Sequence, residues 1–278
     1  MPASAVNFSS NVLSPPPTFR RRDFVYKDCL SGNLCIYNKG MEVSLLKHPK
    51  KSHRKKVLLP KHSPELAEFF GIMLGDGGIN NDWQATITVN ALADKNYANY
   101  IVGLCVSLFG VTPAIRKRKD KQALVIALAS TSVVDFLVAQ GLPRGNKLAG
   151  VLQIPKWILA KSEYKRACVR GLVDTDGCLY IHKHRVSGKE YKNIGFCFTN
   201  YSLALIGQVA AILEENGIKA SIPKQERNVY LYRAESVKKY LRIFGSSNER
   251  ITSVYKKLEA SDSGLFHHLG KVAYRKVS

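Results

Sequence analysis

Two stretches one hundred residues apart share one shape, FFGIMLGDGG at 69–78 and VRGLVDTDGC at 169–178. Each reads as the end of an apolar helix that stops on an acid followed by glycine, Asp76-Gly77 and Asp176-Gly177. The flanking sequence repeats as well. Ser63 followed by Pro64 is a helix-start signal for the first copy, and Ser162 opens the second. Both helices then give way to a strand pair, residues 77–90 and 178–200. In the second pair Leu179, Ile181, Ile194, Phe196 and Phe198 alternate with polar neighbours, as a half-buried sheet requires. An amphipathic helix follows in each copy (94–110 and 202–217), stopping at glycine. A second strand pair and a shorter helix close each copy, the helices covering 130–141 and 235–245. The order α-β-β-α-β-β-α, met twice, predicts an α+β chain with two tandem units over 62–160 and 161–262. A basic extension covers 1–61 and a tail 263–278.

Small residues one helical turn apart, Gly71 and Gly75 against Gly171 and Thr175, predict that the two motif helices pack closely side by side. A glycine inside a helix costs about 1 kcal/mol against alanine, and close backbone approach is the compensation. Such packing brings Asp76 and Asp176 together. A helix C-terminus already carries partial negative charge, so two acids there need a positive partner. No Lys or Arg stands within five residues after either Asp. A hard divalent cation with all-oxygen ligands fits best, Mg²⁺ or a relative such as Mn²⁺. Metal ions held this way are the raw material of phosphodiester hydrolysis.

The charge balance agrees. Lys and Arg number 42 against 21 Asp and Glu, a net +21, which implies a polyanionic partner, nucleic acid before an anionic membrane. Residues 1–61 hold 12 Lys or Arg and 3 Asp or Glu, and read as an arm for phosphates or a solvated tail, with the first 19 residues disordered. The longest apolar run, residues 100–111, is short of the ~20 residues a membrane span needs. The run Pro15-Pro16-Pro17 breaks the amphipathic helix a transit peptide would use. The six cysteines form no C-x-x-C pair, which argues against zinc and for free thiols in a reducing compartment. The expected setting is intracellular, cytoplasm, nucleoid or organelle matrix, and not secreted.

With the residues in view, FFGIMLGDG and VRGLVDTDG resemble the two signatures of the LAGLIDADG homing endonucleases. The second matches at Gly171, Leu172, Asp174, Asp176 and Gly177, the first at Gly71, Asp76 and Gly77. The resemblance covers roughly residues 63–260. It implies a monomeric enzyme with a pseudo-twofold axis, in which two antiparallel four-stranded sheets form a DNA-binding saddle and the motif helices form the central interface. It implies a site-specific, Mg²⁺-dependent endonuclease that cuts both strands of a long, roughly pseudo-palindromic target, as in intron homing. Asp76 and Asp176 would bind the metal, helped by the backbone carbonyls of Gly75 and Thr175. Asn90 and Asn200, at the ends of second strands, would hold water near it. Lys147 and Arg250 would be the basic residues that aid charge stabilisation.

The sheets would read DNA through Asn80, Asn81, Trp83, Gln84, Arg116, Lys117, Arg118 and Lys119 in the first copy. In the second they would use Tyr180, His182, Lys183, His184, Arg185, Lys192, Lys224, Gln225 and Arg227. Strand alternation lets only about half of them face DNA. His182 and His184 share a strand face, but the cations around them favour a DNA or solvent role over metal binding. The sequence LVDTDGCLY also resembles the nucleophile loop of haloacid-dehalogenase-like phosphatases, but here it follows a helix in mid-chain. An EF-hand fails because Leu179 stands where its glycine is needed. The chain lacks an intein's terminal residues, so a free-standing or intron-encoded protein is expected. The remaining rivals keep the fold: an intron RNA maturase, or a DNA-binding regulator that no longer cuts.

Overall fold

The computed structural model describes residues 56–261 except 120, 148–149, 187–188 and 225–226, and three short strands upstream. Those are β1 (Val25–Lys27), β2 (Cys35–Tyr37) and β3 (Ser44–Leu45), where β1 pairs with β2 and β3 with β4 (Leu58–Leu59). The rest of the expected arm and the tail at 263–278 lie outside the described residues.

The first repeat follows the expected order. It runs α1 (Pro64–Gly75), β5 (Gly77–Asn81), β6 (Gln84–Asn90), α2 (Lys95–Phe109), β7 (Ala114–Lys117), β8 (Ala123–Ala129) and α3 (Thr131–Ala139). Ser63 caps α1 by accepting the Leu66 amide at 3.2 Å, with Pro64 in the first turn. α2 ends at Gly110, whose φ of 65° is left-handed and suits glycine. Its antiparallel sheet has four strands in the order β5-β6-β8-β7.

After the short helix α4 (Lys156–Leu159), the second repeat runs α5 (Ser162–Asp176), β9 (Gly177–Val186), β10 (Lys189–Thr199), α6 (Leu203–Glu215), β11 (Asn228–Leu231), α7 (Ala234–Ile243) and α8 (Glu249–Ser261). Two expectations are corrected here. The cap of α5 is Lys161, not Ser162; Lys161 is extended after α4 and makes no side-chain cap bond, so Ser162 is already helical. Among the described residues the second sheet has three strands, β11-β10-β9, rather than four. The segment expected as its fourth strand keeps one bridge, Ser221 with Tyr230, bonded both ways at 3.0 and 2.9 Å. Pro223, two residues on, has no amide to extend the ladder.

The core lies between helices and sheets. In β6, Ala85, Ile87 and Val89 are buried, while Thr88 and Asn90 are exposed. In β10, Ile194, Phe196 and Phe198 are buried while Cys197 and Thr199 are not. Each sheet thus turns one face to the helices and leaves the other open. Every residue of α1 from Leu66 to Leu74 is buried, and all of them but Glu68 are apolar, as a helix enclosed on every side requires.

At the centre α1 packs against α5 with backbone touching backbone. A Cβ added to Gly71 would lie 2.1 Å from the Cys168 carbonyl oxygen, and one added to Gly171 would lie 2.3 Å from that of Glu68. Exchanging each residue for the one a hundred positions away turns the first contact into the second, so the crossing has a local twofold relation. Further along, a Cβ on Gly75 would meet Thr175 Oγ1 at 2.1 Å and Asp176 Oδ2 at 3.3 Å. The crossing therefore delivers both acids to one place.

Candidate active site

Asp76 terminates α1 with its amide bonded to the Ile72 carbonyl, and Asp176 is the last residue of α5. The strands that follow carry the chain away at once. Both acids line an open cavity of about 560 Å³ between the two repeats, with Asn90, Thr88, Lys121 and Arg250 also on its walls. Burial, then the nearby Asp176 charge, pushes the Asp76 carboxyl up to about 7. Burial also raises Asp176, offset by a hydrogen bond from Asn200 and by the Lys147 charge.

The positive partners come from far along the chain. Lys147 Nζ donates to the carbonyls of Met73, Leu74 and Gly75 at 3.3, 3.1 and 2.6 Å, occupying the negative end of α1. Burial lowers its pKa while Asp176 and Asp76 pull it back up. Arg250 does the same for α5, donating to the carbonyls of Asp174 at 3.1 Å, Thr175 at 3.5 Å and Gly177 at 2.9 Å. The expected metal helpers, the carbonyls of Gly75 and Thr175, each already accept a bond from a cation.

Asn200 and Asn90 differ. Asn200 Nδ2 donates to Asp176 Oδ2 at 2.8 Å while its Oδ1 accepts the Ser202 amide at 2.9 Å. Asn90 Oδ1 accepts the amides of Leu92 and Ala93 at 2.9 and 3.0 Å, which shapes its own turn. No hydrogen bond to the Asp76 carboxylate occurs among the described residues.

Sequence reasoning missed what holds Arg250. Asp94, at the start of α2, leaves its helix uncapped and accepts instead from Arg250 Nε at 3.1 Å and Asn248 Nδ2 at 2.8 Å. Behind it lies a buried polar network. Asp174 accepts from Ser246 Oγ at 2.5 Å and the Ser247 amide at 2.7 Å. Glu68, fully buried on α1, pairs with Arg170 of α5 and accepts from Tyr100 at 2.9 Å and Ser247 at 2.7 Å. An acid at 94 followed by a helix was visible in the sequence, but its partners 154 and 156 residues away were not.

Of the expected sheet residues, Asn80, Trp83, Arg116, Lys117, Arg118, Lys119, His182, Lys183, Arg185, Lys224 and Arg227 are exposed, and Asn81, Gln84 and Tyr180 are half-buried. Register and alternation put Gln84 and Arg116 on the open face of the first sheet, with Tyr180 and His182 on that of the second. Lys117, Lys183 and Arg185 fall on the opposite side of their strands. Arg227 stacks its guanidinium over Tyr201 at 5.3 Å. Gln225 and the side chains of His184 and Lys192 lie outside the described residues. The open face of the second sheet also carries Cys197 and Tyr230, whose ring stacks on Tyr232 at 5.3 Å, and neither had been singled out.

Residues 163–250 match the family model of the LAGLIDADG-like domain. The second repeat is a LAGLIDADG-like domain. It holds Asp176, Asn200 and Arg250, and it meets the first repeat at the glycine crossing. No curated protein matches the chain. Among solved structures the chain is similar to I-DmoI in complex with DNA and Mn, at 17% identity and a TM-score of 0.44, covering 66% of this chain and 97% of that one. It is similar to the LAGLIDADG meganuclease I-AabMI bound to uncleaved DNA, at 11% identity and a TM-score of 0.47, covering 72% and 92%. It is also similar to full-length DUF199/WhiA from Thermotoga maritima, at 12% and 0.45, covering 78% and 64%. No helix among the described residues is long and apolar enough to cross a membrane.

Proposed function

We propose that this chain is a divalent-metal-dependent endonuclease that cuts both strands of duplex DNA at one long, roughly pseudo-palindromic site. The observation that carries the reading is the pairing of Asp76 and Asp176 at the ends of two glycine-crossed helices, on one open cavity, with Asp76 held near neutrality by burial and by its twin. Carboxylates so placed are uncomfortable without a cation, and among the described residues the Asp76 carboxylate has no hydrogen-bond donor. Among the described residues no three of His, Cys, Asp and Glu converge as a ligand group. The donor set is therefore two carboxylates with room for water and phosphate oxygens, which suits Mg²⁺ or Mn²⁺ better than zinc.

Asp76 and Asp176 would hold the ion, and bound there it would activate water and stabilise the leaving oxygen. Asn200 orients the Asp176 carboxylate. Lys147 and Arg250 neutralise the two helix ends and stand ready to stabilise charge that builds on a phosphate. The open sheet faces, with Gln84, Arg116, Tyr180 and His182, would lie against the grooves, and the +21 charge supplies phosphate attraction.

The test is a cleavage selection on a random duplex library with Mg²⁺, with EDTA as control. One recurrent metal-dependent cut site supports the reading. Tight binding without a cut product overturns it in favour of a regulator or an intron RNA maturase on the same fold.

A further inference from the structure

Cys178 and Cys197 stand directly opposite each other on β9 and β10. Opposed residues of an antiparallel pair have Cα atoms about 4.5 or 5.5 Å apart, and a disulfide spans about 4.4–6.8 Å, so either kind of rung accepts one. The neighbouring Cys197 side chain, then burial, pushes the Cys178 thiol up. Both belong to the open face of the second sheet, where Cys178 is exposed and Cys197 half-buried, whereas Cys105 and Cys168 are sealed in the core. Cys197 Sγ lies 3.5 Å from Thr199 Oγ1, a contact that rotation of the thiol gives up at little cost. We propose that Cys178 and Cys197 are a redox modification site that closes reversibly into a cross-strand disulfide.

The oxidant is a low-molecular-weight disulfide, and the chemistry is two exchanges. The Cys178 sulfur, deprotonated, attacks one sulfur of the reagent, which releases one small thiol and leaves a mixed disulfide. The Cys197 sulfur, deprotonated in turn, attacks Cys178 Sγ and expels the second small thiol. Two protein thiols are oxidised and one small disulfide is reduced to two thiols. Exposure makes Cys178 the attacking residue and leaves Cys197 to resolve. The finished bond ties β9 to β10 two residues past Asp176, on the wall of the cavity that both acids line.

This inference does not depend on the nuclease reading, and its assay contains no DNA. The reduced full chain is incubated with oxidised glutathione, quenched with acid and digested for peptide mass analysis. The expected product is a peptide pair joined through Cys178 and Cys197, short of two hydrogens and released by dithiothreitol. The same treatment of Cys197→Ser leaves a stable glutathionyl group on Cys178. A wild-type chain that keeps glutathione on Cys178 without closing, that links either cysteine elsewhere, or that remains unmodified overturns the proposal.

Discussion

Asn200 donates to Asp176 at 2.8 Å, while its counterpart Asn90 spends its side-chain oxygen on the amides of its own turn. The two halves of the cavity are thus unequal although the backbone around them is repeated. The Asn200 bond orients Asp176 and offsets part of the rise that burial gives its carboxyl; no such bond to Asp76 occurs among the described residues. Loss of one hydrogen bond to a charged group is worth about 1.5–3 kcal/mol, so Asn200→Ala is expected to slow cutting roughly 10- to 100-fold. Asn90→Ala should act mainly on stability. Strand-specific nicking assays on a labelled duplex, together with thermal melts, separate the two outcomes.

Asp76→Asn and Asp176→Asn are each expected to abolish double-strand cutting while the fold persists. The substitutions remove a half-buried charge and preserve shape, so the metal-free variants should melt no lower than wild type at pH 7. Full cutting by either variant would end the case for a shared metal.

The raised Asp76 pKa fixes a pH dependence. The folded state binds the proton up to about 7, against 3.8 for the ordinary carboxyl. Its favourable contribution is therefore complete below pH ~4 and is lost as pH rises through 7. Without metal, the stability of wild type relative to Asp76→Asn should decline over that window. Added Mg²⁺ should recover it at the upper end, because the ion takes the place of the proton. Denaturant melts of both proteins between pH 4 and 8 check the slope.

Helical glycines divide into two classes. Gly71 and Gly171 face carbonyl oxygens of the partner helix, so Ala at either overpacks the crossing and should destabilise by about 1–3 kcal/mol. Nothing lies within 4 Å of a Cβ at Gly103 or Gly207, both in helices and exposed. Ala there should stabilise by roughly 0.5–1 kcal/mol. Urea unfolding of the four variants, with opposite signs expected for the two classes, is the measurement.

Asp94 is expected to position Arg250. Asp94→Asn keeps an acceptor for Asn248 and weakens the ion pair, so cutting should fall while substrate affinity changes little. Arg250→Lys, which lacks the planar fork that reaches three carbonyls at once, should resemble Arg250→Ala rather than wild type. Single-turnover rates and binding curves on the same duplex distinguish this from a purely structural defect.

The legible parts of this chain were those written in local patterns. Repeat order, the caps at Ser63 and Gly110, the core faces of β6 and β10, and the small residues at the helix crossing all follow from periodicity and steric size. Lys147 and Arg250 were expected near the site from a family resemblance; their partners, the helix-end carbonyls, are set only when the chain closes. Backbone acceptors carry no sequence signature, and neither does the choice of Asp94 over another acid. The second sheet stops short of a fourth strand beside Pro223, which has no amide to give the ladder, and nothing in the repeat pattern itself marks that difference.

The network around Glu68 has a practical consequence for anyone recombining halves of such proteins. Its acid comes from one repeat and is shut away from water, while its guanidinium and serine come from the other and close over it half-buried. A graft that joins either half to a stranger would strand an ion in the seam unless the matching residues at 68, 170 and 247 travel together, so the two halves are best exchanged as a set.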